Sequence, residues 1–478
     1  MKFKYLLFVL ILTSFAGCKN YLDIVPKGQL IPNTVEDYEN MLNEITVASY
    51  SDYFLDLLTD DAFLPEGQPH GLFQKQKLNG RRIYTFNKNV FDEGENDFLW
   101  SETYKRIFYF NTVINNIMDA KDGEENYKRS VKAEGLFGRA LEHLLMVNVY
   151  ARHYDASTAA TDPGVPLVMI ADISAKHRRN TVKEVYAQII LDLEEAIKWL
   201  PEKSKIHKFR SNKAAGYALL SRVYLYMGEY GKALENANQS LALYSTLADM
   251  NNYKVIIPGP PPFPYVPGAP IGWTDIPDGQ YHPETLTSRH FLRPFGLGMD
   301  VCASPELTAL FTNDDRRWTF YYANGWPPAP PFNYMAIAGV KIYLRGDFFN
   351  NALSTPEVYL TRAECKVRAN DKQGALDDVN KLRKNRINPA VYKVFTLADF
   401  DNDQEKILRF VLEERRRELA FTGNRIPDLK RLNKDPRFRK VIKHVAEGKE
   451  YTLQPNSDDY LRQIWPAASK FNPDWILN

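Results

Sequence analysis

Carboxylate and guanidinium side chains are concentrated in one late segment of this chain, from Glu413 to Arg431. In a helix, Glu414 and Glu418 lie about one turn apart, with arginines within reach of both. Two carboxylates can act as the acid and base of glycoside hydrolysis. The same residues can instead form buried ion pairs that fix one helix against its neighbours. We interpret the segment as such a network and assign no catalytic residue.

Sequence motifs of enzymes, nucleotide sites and metal sites are missing. There is no Gly-rich phosphate loop, HExxH motif or nucleophile elbow, and the eight histidines are scattered singly. Cys302 and Cys365 lack the spacing of a zinc site. We expect buried thiols at these positions and leave open whether they form a disulfide. We expect neither a cofactor nor a catalytic metal ion, and a bound structural cation stays open.

A long segment from about 251 to 345 combines prolines with aromatic residues. Seven prolines fall between Pro258 and Pro270 and four between Pro327 and Pro331, and proline fits poorly inside regular elements. We predict a structured but irregular lobe, because its many rings argue against disorder. Flat rings cover the C–H faces of sugars, so the lobe should supply ligand contacts. The candidates are Trp273, Tyr281, Trp326 and Tyr334.

The first 30 residues have the pattern of an export and anchoring signal. A short basic start precedes an apolar run from Tyr5 to Phe15, which is too short to span a bilayer because a spanning helix needs about 20 residues. Small residues then precede Cys18, as in a bacterial lipobox, whose cysteine is lipidated and becomes the mature N-terminus. We therefore expect a signal peptide over 1–17 and a lipid-anchored tether over 18–30.

The charge balance argues against a nucleic-acid partner. The full chain has a formal charge of +2, and cleavage after residue 17 would remove Lys2 and Lys4, which leaves a neutral body. A nucleic-acid binder carries a basic patch that neutralises phosphates, whereas the basic clusters here have acids nearby. We expect no nucleic acid among the partners.

Helical periodicity dominates the remaining sequence. Apolar residues after Val182 recur at spacings of three and four, behind a capping box of Thr181 and Glu184, and Pro201 ends the pattern. Residues 131–150 are apolar on most sides, which is typical of a buried central helix.

A more specific pattern predicts helices in pairs. Tyr224, Gly228 and Ala233 have the spacing of a tetratricopeptide (TPR) helix pair, in which the glycine allows a tight turn and the alanine a close approach. Gly374 repeats the pattern more loosely, after a helix that we expect to begin with Thr355 as its N-cap.

These patterns together predict an all-α fold built on TPR-like helix pairs. We expect a single domain over residues 31–478. Its helical scaffold occupies about 31–250 and 350–478, and the loop-rich lobe occupies about 251–345.

Six stretches of the sequence carry a common resemblance. They are Cys18–Gly28, Trp100–Asn111, Ala133–Ala140, Tyr359–Glu364, Glu413–Arg431 and Ile464–Pro466. In this order they resemble the SusD/RagB-like family of nutrient-uptake outer-membrane lipoproteins. Thr422-Gly423-Asn424 and Pro427 depart from the family's pattern within a structural segment.

The resemblance implies the SusD-like fold and a binding role without catalysis. Such proteins lie at the outer-membrane surface of Gram-negative bacteria, held by a lipid anchor. They pass oligosaccharides, or in some branches oligopeptides, to a SusC-like TonB-dependent transporter. Early loops of the family commonly face the ligand, which adds Asp61, Phe63, Tyr84 and Phe91 to the candidate contacts. The identity of the cargo stays open, as do the alternatives of a lipid-anchored glycoside hydrolase and a purely structural helical adaptor.

Overall fold

The computed structural model describes most of the helical scaffold and parts of the lobe. The described residues are 32–44, 46–50, 54–66, 71–172, 174–204, 208–255, 275–277, 279, 281–291, 301–323, 342–343 and 352–478. The predicted signal peptide over 1–17, Cys18 and the tether over 18–30 lie outside these residues, and so do Trp273, Trp326 and Tyr334.

Helices make up most of the described chain. In order they are α1 (Val35–Asn43), α2 (Phe54–Leu57), α3 (Leu72–Lys75), α4 (Leu78–Tyr84), α5 (Phe98–Asn116), α6 (Glu125–Tyr150), α7 (Val182–Trp199), α8 (Lys213–Met227), α9 (Tyr230–Leu243), α10 (Pro305–Thr308), α11 (Arg316–Phe320), α12 (Thr355–Arg368), α13 (Lys372–Lys384), α14 (Gln404–Leu419), α15 (Arg425–Leu432) and α16 (Pro466–Phe471). Within the described ranges, none of them is long and apolar enough to cross a membrane.

Strands are short and lie mostly at the junction of scaffold and lobe. They are β1 (Ser49–Tyr50), β2 (Ala62–Phe63), β3 (Thr285–Thr287), β4 (His290–Phe291), β5 (Cys302–Ala303), β6 (Tyr322–Ala323), β7 (Ile342–Tyr343), β8 (Leu353–Ser354), β9 (Ile442–Ala446) and β10 (Lys449–Leu453). One sheet has the order β2-β5-β7-β6, and the pairs β1-β4, β3-β8 and β9-β10 form the others.

Helix α6 lies at the centre of the first half of the scaffold. From Val131 onward it is buried on nearly all sides, as its sequence predicts, with α5 and α7 packed against it. Gly138 allows the close approach of α5, because a Cβ atom there would collide with the ring of Phe110. The buried ion pair of Arg139 and Asp192, at 2.7 Å, joins α6 to α7.

The start of α7 confirms the predicted capping box. The hydroxyl of Thr181 accepts a hydrogen bond from the amide of Glu184 at 3.2 Å, and the Glu184 carboxylate accepts one from the Thr181 amide at 2.8 Å. These bonds satisfy two amides that the first turn of a helix leaves unpaired. The helix ends at Trp199, two residues before Pro201.

The pair α8–α9 has the geometry that its spacing predicts. Gly228 ends α8 in the left-handed conformation with a φ of 76°, which suits glycine. Ala233 is fully buried in the interface between the two helices. The Ser221 hydroxyl on α8 donates to the Ala233 carbonyl at 2.8 Å, and the Ser240 hydroxyl on α9 donates to the Ala214 carbonyl at 2.9 Å. Small side chains therefore bring these backbones together.

The pair α12–α13 repeats this arrangement, held by the ion pair of Arg362 and Asp378 at 2.5 Å. The prediction that Thr355 is the N-cap was wrong by one residue, because the helix begins at Thr355 and Ser354 is the cap. The amide of Thr355 donates to the carbonyl of Glu284 at 2.8 Å and its hydroxyl donates there at 3.2 Å. The Thr355 hydroxyl is thus a donor in a tertiary contact, whereas a cap accepts from an amide of the first turn. The all-α, TPR-like fold is confirmed.

The described parts of the lobe are tied to the scaffold by strand pairing. β3 pairs with β8 just before α12, and β5 pairs with β2 of the early segment. Cys302 in β5 and Cys365 in α12 are both buried, and no disulfide joins them. The lobe therefore rises from a base that contains residues from both halves of the chain.

Candidate ligand-binding site

The early segment and the lobe share one apolar core, which forms the base of the lobe. Its buried residues come from 57–91, 276–322 and 420–446, together with Met250. Tyr84 and Phe91 belong to this core, and Phe63 packs at its edge. Phe63 in β2 lies opposite Cys302 in β5. The structure therefore brings three of the candidate rings to the base of the lobe.

Tyr84 is 1% exposed and is packed on all sides by protein. Its ring stacks on that of His444 with centroids 4.1 Å apart, and its hydroxyl accepts a hydrogen bond from the amide of Leu64 at 3.2 Å. Burial raises the pKa of Tyr84 to about 12. These contacts favour a supporting role for this ring beneath the surface, and direct contact with ligand stays a prediction.

Phe91 is 4% exposed and packs against the C-terminal part of the chain. The guanidinium of Arg462 lies 5.1 Å from the centre of its ring, a cation–π distance. Its amide donates to the side-chain carbonyl of Gln463 at 2.9 Å. As with Tyr84, these contacts within the protein favour a role for Phe91 in holding the base of the lobe. Direct contact of Phe91 with ligand stays a prediction.

Asp61 is fully buried and pairs with cations of the late segment. Its carboxylate accepts a hydrogen bond from Nε of Arg416 at 2.7 Å, and the neighbouring Asp60 pairs with Arg425 and Lys440. Burial raises the pKa of Asp61, against the opposing effect of Arg416. For Asp60, burial would also raise the pKa, but Arg425 and Arg416 outweigh it and hold that pKa well below its usual value.

Phe63 and Tyr281 are the described candidates that keep accessible ring surface. Phe63 is half-buried, and Tyr281, just before β3, is 39% exposed. No described contact joins these two rings. Accessible aromatic faces of this kind can cover the apolar face of a sugar ring. Together with Trp273, Trp326 and Tyr334, they remain the candidates for direct contact.

The Glu413–Arg431 segment forms the ion-pair network that we inferred from its sequence. Arg317 of α11 bridges Glu414 and Glu418 of α14, at 2.7 and 2.9 Å. Arg386 joins Glu418 to Glu284 at 2.9 and 2.7 Å. All five side chains are buried. The network thus fixes α14 against the lobe and against the loop after α13.

Two carboxylates of the Glu413–Arg431 segment, Glu414 and Asp428, are held ionised. Burial would raise the pKa of Glu414, but Arg317 and its neighbouring arginines outweigh it and keep that pKa below its usual value. Burial also opposes ionisation of Asp428, yet Arg415 and Arg431 lower its pKa to about 2. A carboxylate held in this state is a poor general acid near neutral pH. The geometry favours the structural interpretation of these residues over the catalytic one.

Sequence reasoning missed the partners that complete the site. Arg416, Arg425 and Lys440 approach Asp60 from more than 350 positions away, and His444 supports Tyr84 from β9. The acidic and basic residues of Glu413–Arg431 were visible in the sequence. Spacing along a chain, however, carries no signal for contacts at this separation. The Asp60-Asp61 pair in an otherwise apolar stretch was the available hint, because buried acids require cationic partners.

Two protein-family models match the chain. One, described as "Starch-binding associating with outer membrane", matches residues 20–225, and the other, described as "SusD family", matches residues 355–473. The chain belongs to the SusD family. The resemblance to the SusD/RagB-like family that the sequence carries is confirmed.

Similar proteins support the same assignment. SusD-like protein P2 of Formosa agariphila is 28% identical over 242 residues, which are 50% of this chain and 46% of that protein, so the match spans about half of each. A structure titled as a putative sugar binding protein from Bacteroides vulgatus has a TM-score of 0.67 and 22% identity, over 94% of this chain and 99% of that one. A SusD superfamily protein from Bacteroides thetaiotaomicron has a TM-score of 0.70 and 19% identity, over 93% and 99%. At these identities the structures show the SusD fold.

The two SusD-family matches flank residues 226–354, which contain the lobe. The candidate rings Trp273, Tyr281, Trp326 and Tyr334 fall in this unmatched part. The ligand specificity of this SusD-family protein must therefore be argued from its own residues.

Proposed function

We propose that this protein is a cell-surface nutrient-binding lipoprotein that captures oligosaccharides and delivers them to a SusC-like TonB-dependent transporter. The observation that carries the proposal is the pair of SusD-family matches at 20–225 and 355–473, on a fold that aligns with SusD superfamily structures over 93% of the chain. One similar structure is titled as a putative sugar binding protein. The first family model is described as associating with the outer membrane.

The proposed contact surface is the aromatic lobe together with its base. Phe63 and Tyr281 offer accessible ring faces there. Trp273, Trp326 and Tyr334 are proposed as further contacts from their sequence context. Asp61, Tyr84 and Phe91, the buried candidates, would hold this surface in place. A rigid base lowers the entropic cost of ordering a binding surface when cargo arrives.

Attachment is proposed to come from lipid chains on Cys18, with residues 18–30 as the tether. Anchoring by acyl chains leaves the folded body free in water above the membrane. Such an arrangement would allow the body to close over a transporter and open again to receive cargo.

Isothermal titration of the purified protein with a panel of neutral oligosaccharides and a panel of oligopeptides tests the proposal. We expect saturable binding of at least one oligosaccharide without release of reducing ends. If only peptides bind, the cargo class is oligopeptides and not oligosaccharides. Turnover of the glycan would instead support the hydrolase alternative.

Variants locate the contact surface once a ligand is found. Tyr281→Ala, Phe63→Ala, Trp273→Ala and Trp326→Ala should each weaken binding about tenfold or more, which is a loss of about 1.4 kcal/mol. Tyr127→Ala is the matched control, because Tyr127 on α6 is as exposed as Tyr281, at 39%, and lies outside the candidate site. Unchanged affinity in all four variants would remove the site assignment.

A further inference from the structure

A cleft beside the central helix holds cationic groups that the network described above does not include. It lies between α6, the turn that precedes α15, and Arg289, which is in the link from β3 to β4, and it has a cavity volume of about 70 Å³. A water occupies about 30 Å³ in the liquid, so this space admits a small polar group. We call it the arginine cleft. Its polar lining includes Glu142, Asn148, Arg222, Tyr226, Arg289 and Asn424.

Charge in the arginine cleft is unbalanced. Glu142 is shared by two buried arginines, with Arg106 at 2.9 Å from one oxygen and Arg289 at 3.5 Å from the other. Within the part of the chain that the structure describes, no other carboxylate pairs with either arginine. The other arginine that lines the cleft, Arg222, is neutralised by Glu357 at 2.5 Å. One positive charge is therefore left over at this wall.

Arg289 is the group with donors to spare. It is 6% exposed and lines the cleft. Among the described residues it makes a long hydrogen bond of 3.4 Å to the carbonyl of Ser288, and its Nε lies 3.5 Å from Glu142 without a hydrogen-bond partner. A guanidinium carries five N–H donors. Burying a charge with so few partners is costly unless an anion completes the site.

We propose that the arginine cleft binds a carboxylate group, with Arg289 as its principal ligand. A guanidinium fork matches a carboxylate through two parallel charge-assisted hydrogen bonds. The amide side chains of Asn148 and Asn424 line the same space and offer polar groups for the remainder of a small acid. The carboxylate can come from a free small acid or from a uronic acid unit. Neither Phe63 nor Tyr281 lines this cleft, and the proposal does not depend on the proposed cargo surface.

Acetate is the probe for the site, titrated into the full mature protein at constant ionic strength against chloride. We expect saturable binding with a Kd of about 1 mM or tighter. Glucuronate and glucose form the second arm, which separates the two sources. Binding of glucuronate as well as acetate, with none of glucose, points to a uronic acid unit, whereas binding of acetate alone points to a free small acid. If the heats measured on adding acetate equal those measured on adding chloride, the proposal is overturned.

Two substitutions give opposite signs, which a merely structural role would not. Arg289→Gln removes the leftover charge and should weaken acetate binding about tenfold or more. Glu142→Gln removes the only carboxylate paired with Arg106 and Arg289 in the described structure, and should tighten binding by a similar factor. Arg129→Gln is the control for general electrostatics, because this arginine lies exposed on α6. Circular dichroism checks that each variant is folded, and weaker binding in folded Glu142→Gln would contradict the proposal.

Discussion

Asp61 and Arg416 are joined by a hydrogen bond of 2.7 Å across 355 positions of sequence, and both side chains are buried. This bond links the early segment that carries Phe63 to the helix α14. Glu306, at the start of α10, also contacts Arg416, at 2.6 Å. One guanidinium therefore holds together the early segment, the lobe and the scaffold.

Removal of this guanidinium should be among the most damaging single changes. Arg416→Gln leaves Asp61 buried with its nearest remaining cation, Arg425, at 4.0 Å. We expect a loss of about 3–5 kcal/mol in the free energy of unfolding, because an uncompensated buried charge remains. Urea denaturation followed by circular dichroism measures it.

Two controls separate this effect from a general loss of charge. Arg409→Gln changes an arginine on the same helix whose side chain is 47% exposed, and it should alter stability by no more than about 0.5 kcal/mol. The double variant of Asp61→Asn with Arg416→Gln should cost less than the two single changes added together. Additive costs would show that the pair does not act as a unit.

The sequence predicted the elements better than the contacts between them. The turn at Gly228 and the capping box of Thr181 were predictable because both signals are local, within a few residues. The strands β2 and β5 were not, since two-residue strands are too short to show alternation. The partnership of Asp61 with Arg416 was hidden for a similar reason, because nothing in one sequence marks which arginine meets which acid.

Substitution of glycine by alanine should have opposite effects on stability at two helical positions. At Gly138 of α6 a Cβ atom collides with the ring of Phe110, which is 2% exposed and has no room to move aside. Gly138→Ala should cost about 1–3 kcal/mol through overpacking. At Gly231 of α9 a Cβ meets nothing within 4 Å, so Gly231→Ala should be neutral or stabilise by up to about 1 kcal/mol. Thermal unfolding of both variants under one condition checks the pair.

Two buried histidines should make the fold sensitive to acid. Burial, aided by Arg139, lowers the pKa of His143 to about 3, and burial, aided by Lys430 and Arg431, lowers that of His153 to about 3. Both rings are neutral in the folded protein and become protonated on unfolding below about pH 6.5. Above about pH 6.5 neither ring lowers the free energy of unfolding. As the pH falls toward 3 that free energy decreases, by roughly 2–3 kcal/mol for each ring at about pH 4.5.

Replacement of one ring isolates its share of the acid sensitivity. His143→Leu should be nearly neutral at pH 7, because an apolar side chain replaces a neutral imidazole that is fully buried and makes no hydrogen bond to the described residues. Between about pH 6.5 and 4.5 it should lose roughly 2–3 kcal/mol less stability than the parent protein. Parallel stability curves for the two proteins over this range would show that His143 does not contribute.

Attachment to the membrane should depend on a single thiol, that of Cys18. In the proposed anchor Cys18 receives the acyl chains, each of which contributes about 0.8 kcal/mol per buried CH₂. Cys18→Ser in the full precursor should therefore abolish palmitate labelling and move the protein from the membrane fraction to the soluble fraction. Its stability and its affinity for cargo should stay those of the parent, because in the proposed anchor Cys18 serves attachment alone. Globomycin should block processing of the parent precursor, and labelled mature protein in the Cys18→Ser strain would contradict the anchor.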